Sequence, residues 1–517
     1  MISEDTLLFL SNYGYDLNKI HHEVLEQGNN SIIKFLTRNT VPFFIVYCLE
    51  NDCPIEQTYE MFENGNDAFC TLFMISENGN NSFYTKNVKI GQFSQIKELI
   101  NYTSINNEEL FPQSTFSDKN FENIFFDAHS YLRDLDGLHP DEALDELCKL
   151  IYVKLYDEEQ NLYYFNHFYG NSLELASSIR KLYKDANEYD VRVYSLKIPG
   201  YKRSRGVFDN PILLSSAAIS KTVRLFSKFN FSTSDIDFKS RAFQNVYLPT
   251  TRAGMGQYFT PLQVVRFIIN CIRPKHTDLI IDPFSGSGHF LTESLRFVQN
   301  NEQSDKMTSE FIFYKLHGIE KSERMVRIAM TDMRLHGDGH SNIRCTDALL
   351  SFDSYTDLSE NSFDIVMTNP PFGSNLQKDS YSFLGDFETI KMKQKIPLEI
   401  LGLERAVQLL RPNGRLGIVL PDSILVNDSN SFIRNWISKN LKIRGIISLP
   451  LATFTPFGAN IKTSVLFASK KQVLNDYNIF TAFIENIGFD NKGKEIEGAD
   501  WQKVAEAFNN FIEKEGW

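Results

Sequence analysis

The sequence contains no apolar run long enough to cross a lipid bilayer. A membrane-spanning helix needs about 20 consecutive apolar residues, and polar or charged side chains interrupt every apolar stretch of this chain before that length. The N-terminus, MISEDTLLFL, also lacks the basic segment that opens a secretion signal. We therefore expect a cytoplasmic protein with no membrane contact.

Cysteine is scarce, with 6 residues in a chain of 517, and no two of them form a Cys-x-x-Cys pair. Zinc sites need closely spaced ligands, and disulfide frameworks need many cysteines in a short chain. The run HGDGH at 336–340 has poor spacing for a metal and is expected to cap a helix end. We predict buried free thiols and no metal site.

Positive charge is also scarce. The chain has 53 Lys and Arg residues but 65 Asp and Glu residues, which gives a net charge of −12. A protein that holds nucleic acid by neutralising phosphates is usually basic. If nucleic acid is the substrate, local basic patches or a partner protein must supply the contacts.

Aromatic residues are plentiful, and 43 Phe with 22 Tyr bury enough apolar surface to exclude disorder as the main state. Short apolar runs between Asn/Gly turns predict a small α+β domain over 1–115. Helical spacing predicts a mainly helical domain over 116–250. Strands alternate with helices over 251–475, which is typical of a parallel sheet covered on both faces. Residues 476–517 are predicted to form a helical tail.

A glycine-rich motif follows the first predicted strand of the α/β segment, at the sheet edge where such folds bind ligands. It reads DPFSGSGHF at 282–290, an acidic residue followed by a turn and a helix. The glycines allow a sharp turn and let a ligand lie against bare main chain. His289 and Phe290 replace the Lys and Ser/Thr of a phosphate loop, so no triphosphate is expected. The alternative is a tight turn without a ligand.

A carboxylate ends each of the next two predicted strands. Glu320, in HGIEKSE, is placed to accept hydrogen bonds from both hydroxyls of a ribose. Asp347, in CTDALL, is placed to accept one from an exocyclic amine. Either carboxylate alone would be an ordinary solvated side chain, but their spacing after DPFSGSG favours a nucleoside-like ligand.

The most specific motif is Asn369-Pro370-Pro371-Phe372, which directly follows the apolar strand FDIVMT. Two prolines fix φ and remove backbone donors, leaving a stiff segment with outward-facing carbonyl groups. The amine of adenine is a poor nucleophile because its lone pair is delocalised into the ring. If the Asn369 side-chain oxygen and the Pro370 carbonyl accept its two N–H groups, the lone pair is freed for attack. Phe372 would stack on a base flipped out of the duplex.

A fourth segment, GQYFTP at 256–261, precedes the sheet and could form a wall of the ligand pocket. The alternative is a hydrophobic staple with a proline at the start of a helix. For Asn369–Phe372 the alternative is a loop that contains a Pro-Pro turn but has no catalytic role.

In this order, GQYFTP, DPFSGSGHFL, HGIEKSE and NPPF resemble the motifs of the S-adenosylmethionine-dependent DNA adenine-N6 methyltransferases. The order is similar to that of the γ group, and in particular to the modification (M) subunit of type I restriction–modification systems. The resemblance covers 250–475, including SLPLATFTPFGANIKTSVLFASK, and extends to the helical stretch FDAHSYLRDLDGLHPDEALDELCKLIYVKLYDE at 126–158, but not to 1–115. It implies a Rossmann-like methyltransferase fold with a mostly parallel seven-stranded sheet, preceded by the helical and α+β domains.

The resemblance also implies roles for single residues. Asn369, Pro370, Pro371 and Phe372 would form the catalytic segment, and the methyl group would pass directly from the sulfonium of S-adenosylmethionine to N6. The GQYFTP lid and the glycine turn would hold the methionine end of this cofactor, Glu320 its ribose and Asp347 its adenine. The cofactor-binding residues so assigned are Gln257, Tyr258, Phe259, Thr260, Pro261, Asp282, Phe284, Ser285, Gly286, Ser287, Gly288, Phe290, Glu320, Asp347 and Ala348.

Double-stranded DNA and partner subunits are implied as well. Residues 471–517 are too few for the target-recognition region of self-sufficient γ enzymes, so a separate specificity subunit is expected unless the chain is truncated. A restriction subunit is a further possible member of such a hetero-oligomer, because 1–120 carries no nuclease motif. Two basic clusters are candidate DNA contacts, with solvated loops as the alternative: Lys202, Arg203 and Arg205 (beside Lys197), and Lys391, Lys393 and Lys395.

Three functions therefore stay open at this point. The first is an adenine-N6 DNA methyltransferase that works with a specificity partner. The second keeps the chemistry but acts on RNA or on protein glutamine, which the GQYFTP and NIKTSVL segments disfavour. The third is a non-catalytic, cofactor-binding scaffold, which the intact motifs disfavour.

Overall fold

The structure, a computed structural model, describes the α/β segment almost throughout and the rest of the chain in shorter stretches. Within the described residues, no helix is both long enough and apolar enough to cross a membrane, and no His, Cys, Asp or Glu cluster could hold a metal ion. The described residues are 8, 10–12, 22–27, 30–36, 42–50, 70–77, 80–86, 93–96, 123–160, 162, 164–166, 172–197, 208, 210–227, 229–232, 239, 242–247, 260–301, 305–337, 342–377, 387–391, 395–457, 460–471 and 476–517.

Six strands near the N-terminus form one sheet in which each strand pairs with its neighbour in sequence. The third and fourth strands are parallel, and the other pairs are antiparallel. The domain boundary at residue 115 and the role of this segment stay predictions. The strands are β1 (His22–Gln27), β2 (Asn30–Leu36), β3 (Pro42–Glu50), β4 (Cys70–Glu77), β5 (Asn80–Lys86) and β6 (Phe93–Ile96).

Helices dominate the middle of the chain, and local sequence signals fix their ends. Gly137, in the left-handed region at φ 65°, ends the first helix. Pro140 begins the second, where the Glu142 carboxylate accepts a 3.0 Å hydrogen bond from the backbone N–H of His139. The helices are α1 (Ile124–Asp136), α2 (Pro140–Glu159), α3 (Ser172–Lys197) and α4 (Ser216–Phe226).

A second sheet, of eight strands, organises the rest of the chain. Its order is β16-β14-β15-β13-β10-β7-β8-β9, in which β15 runs antiparallel to both neighbours and the remaining pairs are parallel. The strands are β7 (Ile280–Asp282), β8 (Leu316–Glu320), β9 (Asn342–Cys345), β10 (Phe363–Thr368), β13 (Leu410–Pro421), β14 (Lys442–Ser448), β15 (Thr463–Ser469) and β16 (Phe480–Phe483), with a separate hairpin of β11 (Asn375–Gln377) and β12 (Lys395–Pro397).

Helices cover both faces of this sheet, as strand–helix alternation predicts. Successive side chains of a strand point to opposite faces, and so Ile280 and Ile281 belong to different hydrophobic clusters. Both clusters consist of buried side chains, so neither face of the sheet is exposed to solvent. The helices are α5 (Leu262–Ile272), α6 (His289–Asn301), α7 (Asp305–Tyr314), α8 (Glu323–Leu335), α9 (Leu398–Leu409), α10 (Asp422–Val426), α11 (Ser431–Asn440) and α12 (Trp501–Glu515).

The C-terminal segment is more than the predicted helical tail, and the sheet has one strand more than the seven expected. β16 pairs with β14 and so extends the sheet, and α12 packs behind it. The Phe508 ring of α12 lies 4.7 Å from that of Phe467 and 5.6 Å from that of Phe480. A four-residue strand with alternating half-buried and exposed side chains leaves too weak a pattern to be recognised in the sequence.

Ion pairs fasten the helical segment to the α/β segment. α2 presents acidic side chains to arginines of α8, and the two segments also share one hydrophobic cluster. The pair of Arg327 with Asp145 is the best shielded from water, with side chains 6% and 14% exposed. The pairs are Arg324 with Asp141, Arg327 with Asp145 at 2.5 Å, and Arg334 with Glu159 at 2.9 Å.

The sheet order also locates the ligand edge. The chain passes from β7 through β8 to β9 on one side, and then returns to place β10 on the other side of β7. In open α/β sheets, ligands bind beyond the carboxyl ends of the strands at this reversal. The residues there are Asp282, which ends β7, and Asn369, which follows β10.

Candidate active site

The glycine-rich turn joins β7 to α6 in a conformation that needs its glycines. Gly286 and Gly288 have φ values of +51° and +83°, which side chains other than glycine rarely adopt. A Cβ atom on Gly288 would also lie 3.2 Å from that of Ala329 in α8. The turn therefore presents bare main chain beyond the end of the strand, as predicted.

Asp282 is a buried carboxylate at the floor of the site. Its Oδ1 accepts hydrogen bonds from the Thr368 hydroxyl at 2.6 Å and from the Phe284 backbone N–H at 3.0 Å. Burial, with a smaller contribution from the nearby Glu320 carboxylate, raises the pKa of Asp282 to about 7. A cationic ligand group would relieve this unfavourable charge.

Glu320 ends β8 beside the turn. Its two oxygens accept backbone hydrogen bonds from Gly286 at 3.1 Å and from Ser322 at 2.7 Å. Each carboxylate oxygen has a second lone pair, so both can still accept from a ligand hydroxyl. Burial raises the pKa of Glu320 as well.

Asp347 follows β9 and is already engaged on both oxygens. Oδ1 accepts a 3.0 Å hydrogen bond from the Leu349 backbone N–H, and Oδ2 pairs with Lys321 at 2.9 Å. The Lys321 side chain is 72% exposed, and exposed ion pairs contribute little free energy. A ligand amine can therefore compete for Oδ2.

Asn369 offers an unsatisfied acceptor. Its Nδ2 donates to the Thr260 hydroxyl at 3.0 Å, whereas its Oδ1 is buried and has no hydrogen-bond partner among the described residues. A buried acceptor without a partner costs about 1–3 kcal/mol. An N–H group of a bound molecule would remove that cost.

The glycine turn, Asp282 and Asn369 line one pocket of about 400 Å³, counting the space open to solvent. Glu320 does not line this pocket but accepts a hydrogen bond from Gly286, which does, and Asp347 and Ala348 lie outside the lining. The lining residues are Thr260, Asp282, Phe284, Ser285, Gly286, Ser287, His289, Phe290, Met325 and Asn369.

Two lining residues, His289 and Met325, were not predicted as site residues. His289 falls inside the glycine motif, where its sequence position argues against a phosphate loop but does not indicate a contact with the ligand. Met325 comes from α8, and its position depends on how that helix packs behind the turn. No local sequence signal could have singled it out.

Phe372, the aromatic end of the Asn369–Phe372 motif, packs against the protein interior. Phe372 is 5% exposed, and its ring meets that of Phe454 edge to face at 6.2 Å. Phe454 belongs to the SLPLATFTPFG stretch, which brings that later motif to the site. Stacking of Phe372 on a base stays a prediction.

Several of the predicted site residues do not line the pocket, and others lie outside the described residues. Pro261 precedes α5 as its N-cap residue. Pro371 is exposed, and so are Lys391 and Lys395, which leaves both lysines available for phosphate contacts. Gln257, Tyr258, Phe259, Lys202, Arg203, Arg205 and Lys393 lie outside the described residues.

The sequence profile of the N-6 DNA methylase family matches residues 243–517, more than half of the chain. The chain belongs to the N-6 DNA methylase family. The match begins just before the GQYFTP segment and includes every motif discussed above, so the family predicted from those motifs is confirmed.

Two curated relatives of this family member are methylase subunits of type I restriction enzymes. The chain is 27% identical over 296 residues to the Escherichia coli "Type I restriction enzyme EcoEI methylase subunit", covering 54% of this chain and 57% of that one. It is 29% identical over 234 residues to the corresponding EcoKI subunit of Escherichia coli, covering 44% of this chain and 42% of that one. The chain thus spans about half the length of these relatives.

A solved structure supports the fold. The type I restriction–modification methyltransferase subunit from Streptococcus thermophilus matches with a TM-score of 0.54 at 18% identity, covering 77% of this chain and 94% of that one. The predicted methyltransferase fold, a largely parallel sheet with helices on both faces, is confirmed.

In this N-6 DNA methylase, Gly402 of α9 packs closely against Pro370 of the Asn369–Phe372 motif. A Cβ atom there would lie 2.6 Å from Cβ of Pro370 and 3.1 Å from the Phe284 ring. Alanine ordinarily stabilises a helix by about 1 kcal/mol relative to glycine. We expect Gly402→Ala instead to lower the free energy of unfolding by about 1–3 kcal/mol, since the rigid proline must shift. Denaturant unfolding measures this, and a gain in stability would contradict it.

Proposed function

We propose that the chain transfers a methyl group from S-adenosylmethionine to the N6 amine of a flipped adenine in double-stranded DNA. The observation that carries the proposal is the buried, unsatisfied Oδ1 of Asn369, next to Pro370 and in the same pocket as Asp282. Family membership supports the same reaction.

The residues of the pocket fit the cofactor. S-adenosylmethionine supplies an electrophilic methyl group on a sulfonium and also carries an ammonium group. Asp282 is a buried carboxylate whose charge is unfavourable without a cation nearby. Glu320 keeps free lone pairs for two ribose hydroxyls, and Asp347 can accept from the adenine amine. The glycine turn leaves room for the ligand along its main chain.

The catalytic segment would act on the substrate amine. Asn369 Oδ1 and the Pro370 carbonyl would each accept one N–H of the amine, which withdraws the nitrogen lone pair from conjugation with the ring. Fixed acceptors provide this stabilisation without a strong base or a covalent intermediate. The proline ring holds its carbonyl in place because Gly402 allows α9 to pack directly against it.

We further propose that the chain is the modification subunit of a type I-like restriction–modification system in the cytoplasm. The names of the curated relatives support this assignment. The net charge of −12 also supports this assignment, because an acidic chain needs a partner protein to contact the phosphates of DNA. The complete assembly would be a hetero-oligomer with a specificity subunit and a restriction subunit.

Labelled methyl transfer tests the proposal against its alternatives. The chain is purified from its own cells through an affinity tag, so that its partners are retained. It is then incubated with methyl-labelled S-adenosylmethionine and either double-stranded DNA, RNA or protein. We expect label in DNA alone. Label only in RNA or in protein glutamine would establish the second hypothesis, and no label in any substrate would favour a scaffold.

A further inference from the structure

A series of buried hydrogen bonds connects the interior of the molecule with Asn369. The Tyr247 hydroxyl lies 2.5 Å from Nε2 of His289, and both side chains are buried. The His289 ring also donates to the backbone carbonyl of Thr260. The Thr260 hydroxyl in turn accepts from Nδ2 of Asn369 at 3.0 Å. Tyr247 belongs to the helical stretch 242–247, which precedes GQYFTP in the chain.

The protonation states of the two buried rings fix the direction of the first bonds. Burial lowers the pKa of His289 to about 4, so its ring is neutral at pH 7. Burial also raises the pKa of Tyr247 well above its ordinary value, so its hydroxyl keeps its proton. A neutral imidazole has one donor and one acceptor nitrogen. When Nε2 accepts from the Tyr247 hydroxyl, the ring proton is on Nδ1, the nitrogen left to donate to Thr260.

The end of this series determines which part of the Asn369 amide is available. Thr260 holds the nitrogen of the amide, which leaves the oxygen unsatisfied at the pocket. A shift of the Thr260 main chain would move the amide with it. Misplacement of a catalytic group by about 1 Å can lower a rate about 100-fold.

We propose that Tyr247 and His289 are positioning residues, which hold Thr260 and thereby aim the Asn369 oxygen at the substrate amine. This inference rests on the proposed function and extends it. Tyr247 is 0% exposed and so does not touch substrate. The residues just before the methyltransferase motifs thus contribute to catalysis as well as to packing.

A double-mutant cycle tests the proposal in the tagged, partner-containing preparation. Tyr247→Phe removes the hydroxyl, with its contacts to His289 and Ser287, and keeps the ring, which packs against Phe243 at 5.1 Å. Thr260→Val removes the bond to Asn369. We expect Tyr247→Phe to lower kcat about tenfold, with the dissociation constant for S-adenosylmethionine, measured by calorimetry, changed less than about threefold. Because both substitutions act on one connection, the double variant should be no slower than Thr260→Val alone.

Tyr152→Phe is the matched control, because the Tyr152 hydroxyl is also buried but donates to Asp190 at 2.6 Å, away from the pocket. We expect this variant to keep the wild-type kcat. An unchanged kcat in Tyr247→Phe, multiplicative losses in the double variant, or an equal loss in Tyr152→Phe would each overturn the inference. Failure of the wild type to label DNA would instead refute the proposed function on which it rests.

Discussion

Asn369→Ala is expected to lower kcat for DNA methylation by about 100- to 1000-fold, the loss typical of removing one preorganised hydrogen-bond partner of a transition state. The substitution deletes the buried oxygen that has no partner among the described residues. Its backbone effect is small because Pro370 and Pro371 still fix the following main chain. The dissociation constant for S-adenosylmethionine should change less than about threefold, since the assigned cofactor contacts come from other residues.

A matched control separates this effect from a general loss of structure. Asn440→Ala removes an amide that donates to the Trp436 carbonyl at 2.9 Å at the end of α11. We expect this variant to keep the wild-type rate. If Asn369→Ala methylated DNA at the wild-type rate, the catalytic role of the motif would be refuted.

Asp282→Asn is expected to make the protein more stable and a weaker binder of the cofactor. The folded state raises the pKa of Asp282 from 3.8 to about 7, so the folded protein holds this proton more tightly than the unfolded chain does. The contribution of Asp282 to the free energy of unfolding is therefore fully present below pH 3.8, where the carboxyl is protonated in both states. It is lost as the pH rises towards about 7. Above that range the buried charge costs at most roughly 4 kcal/mol, which the neutral amide avoids.

Denaturant unfolding curves at several pH values measure the stability of Asp282→Asn, and calorimetry with S-adenosylmethionine measures its affinity for the cofactor. Asp282→Asn should gain stability over the wild type at pH 8 and lose that advantage near pH 3. Its affinity for the cofactor at pH 8 should fall about 10- to 100-fold, because a buried carboxylate no longer faces a cationic group. A variant that is less stable than the wild type at pH 8, or that binds the cofactor equally well, would contradict the assigned role.

Much of the site can be predicted from short sequence motifs and from the rule that ligands bind at the carboxyl ends of parallel strands. Asp282 and Asn369 are far apart in sequence, yet each follows an apolar run of strand length. Since parallel strands end at the same edge of a sheet, the motifs alone predict that these residues meet. The 2.6 Å hydrogen bond from Thr368 to Asp282 agrees with that prediction.

Other features depend on packing between distant elements and leave no local signal. Met325 reaches the pocket only because α8 packs behind the glycine turn. The bond between Tyr247 and His289 joins two side chains from different segments, and although His289 lies in the glycine motif, nothing in the sequence around Tyr247 points to it. β16 was missed because a short edge strand has no continuous apolar run.

Identification of the modified nucleoside tests the central claim most directly. DNA is incubated with the tagged preparation and S-adenosylmethionine carrying a ¹³C-methyl group, then hydrolysed to nucleosides and analysed by mass spectrometry. Two fixed oxygen acceptors activate an exocyclic amine, so the account predicts the label in N6-methyladenine. Label in 5-methylcytosine would contradict it, because methylation at carbon requires a different activation, and so would DNA that stays unlabelled.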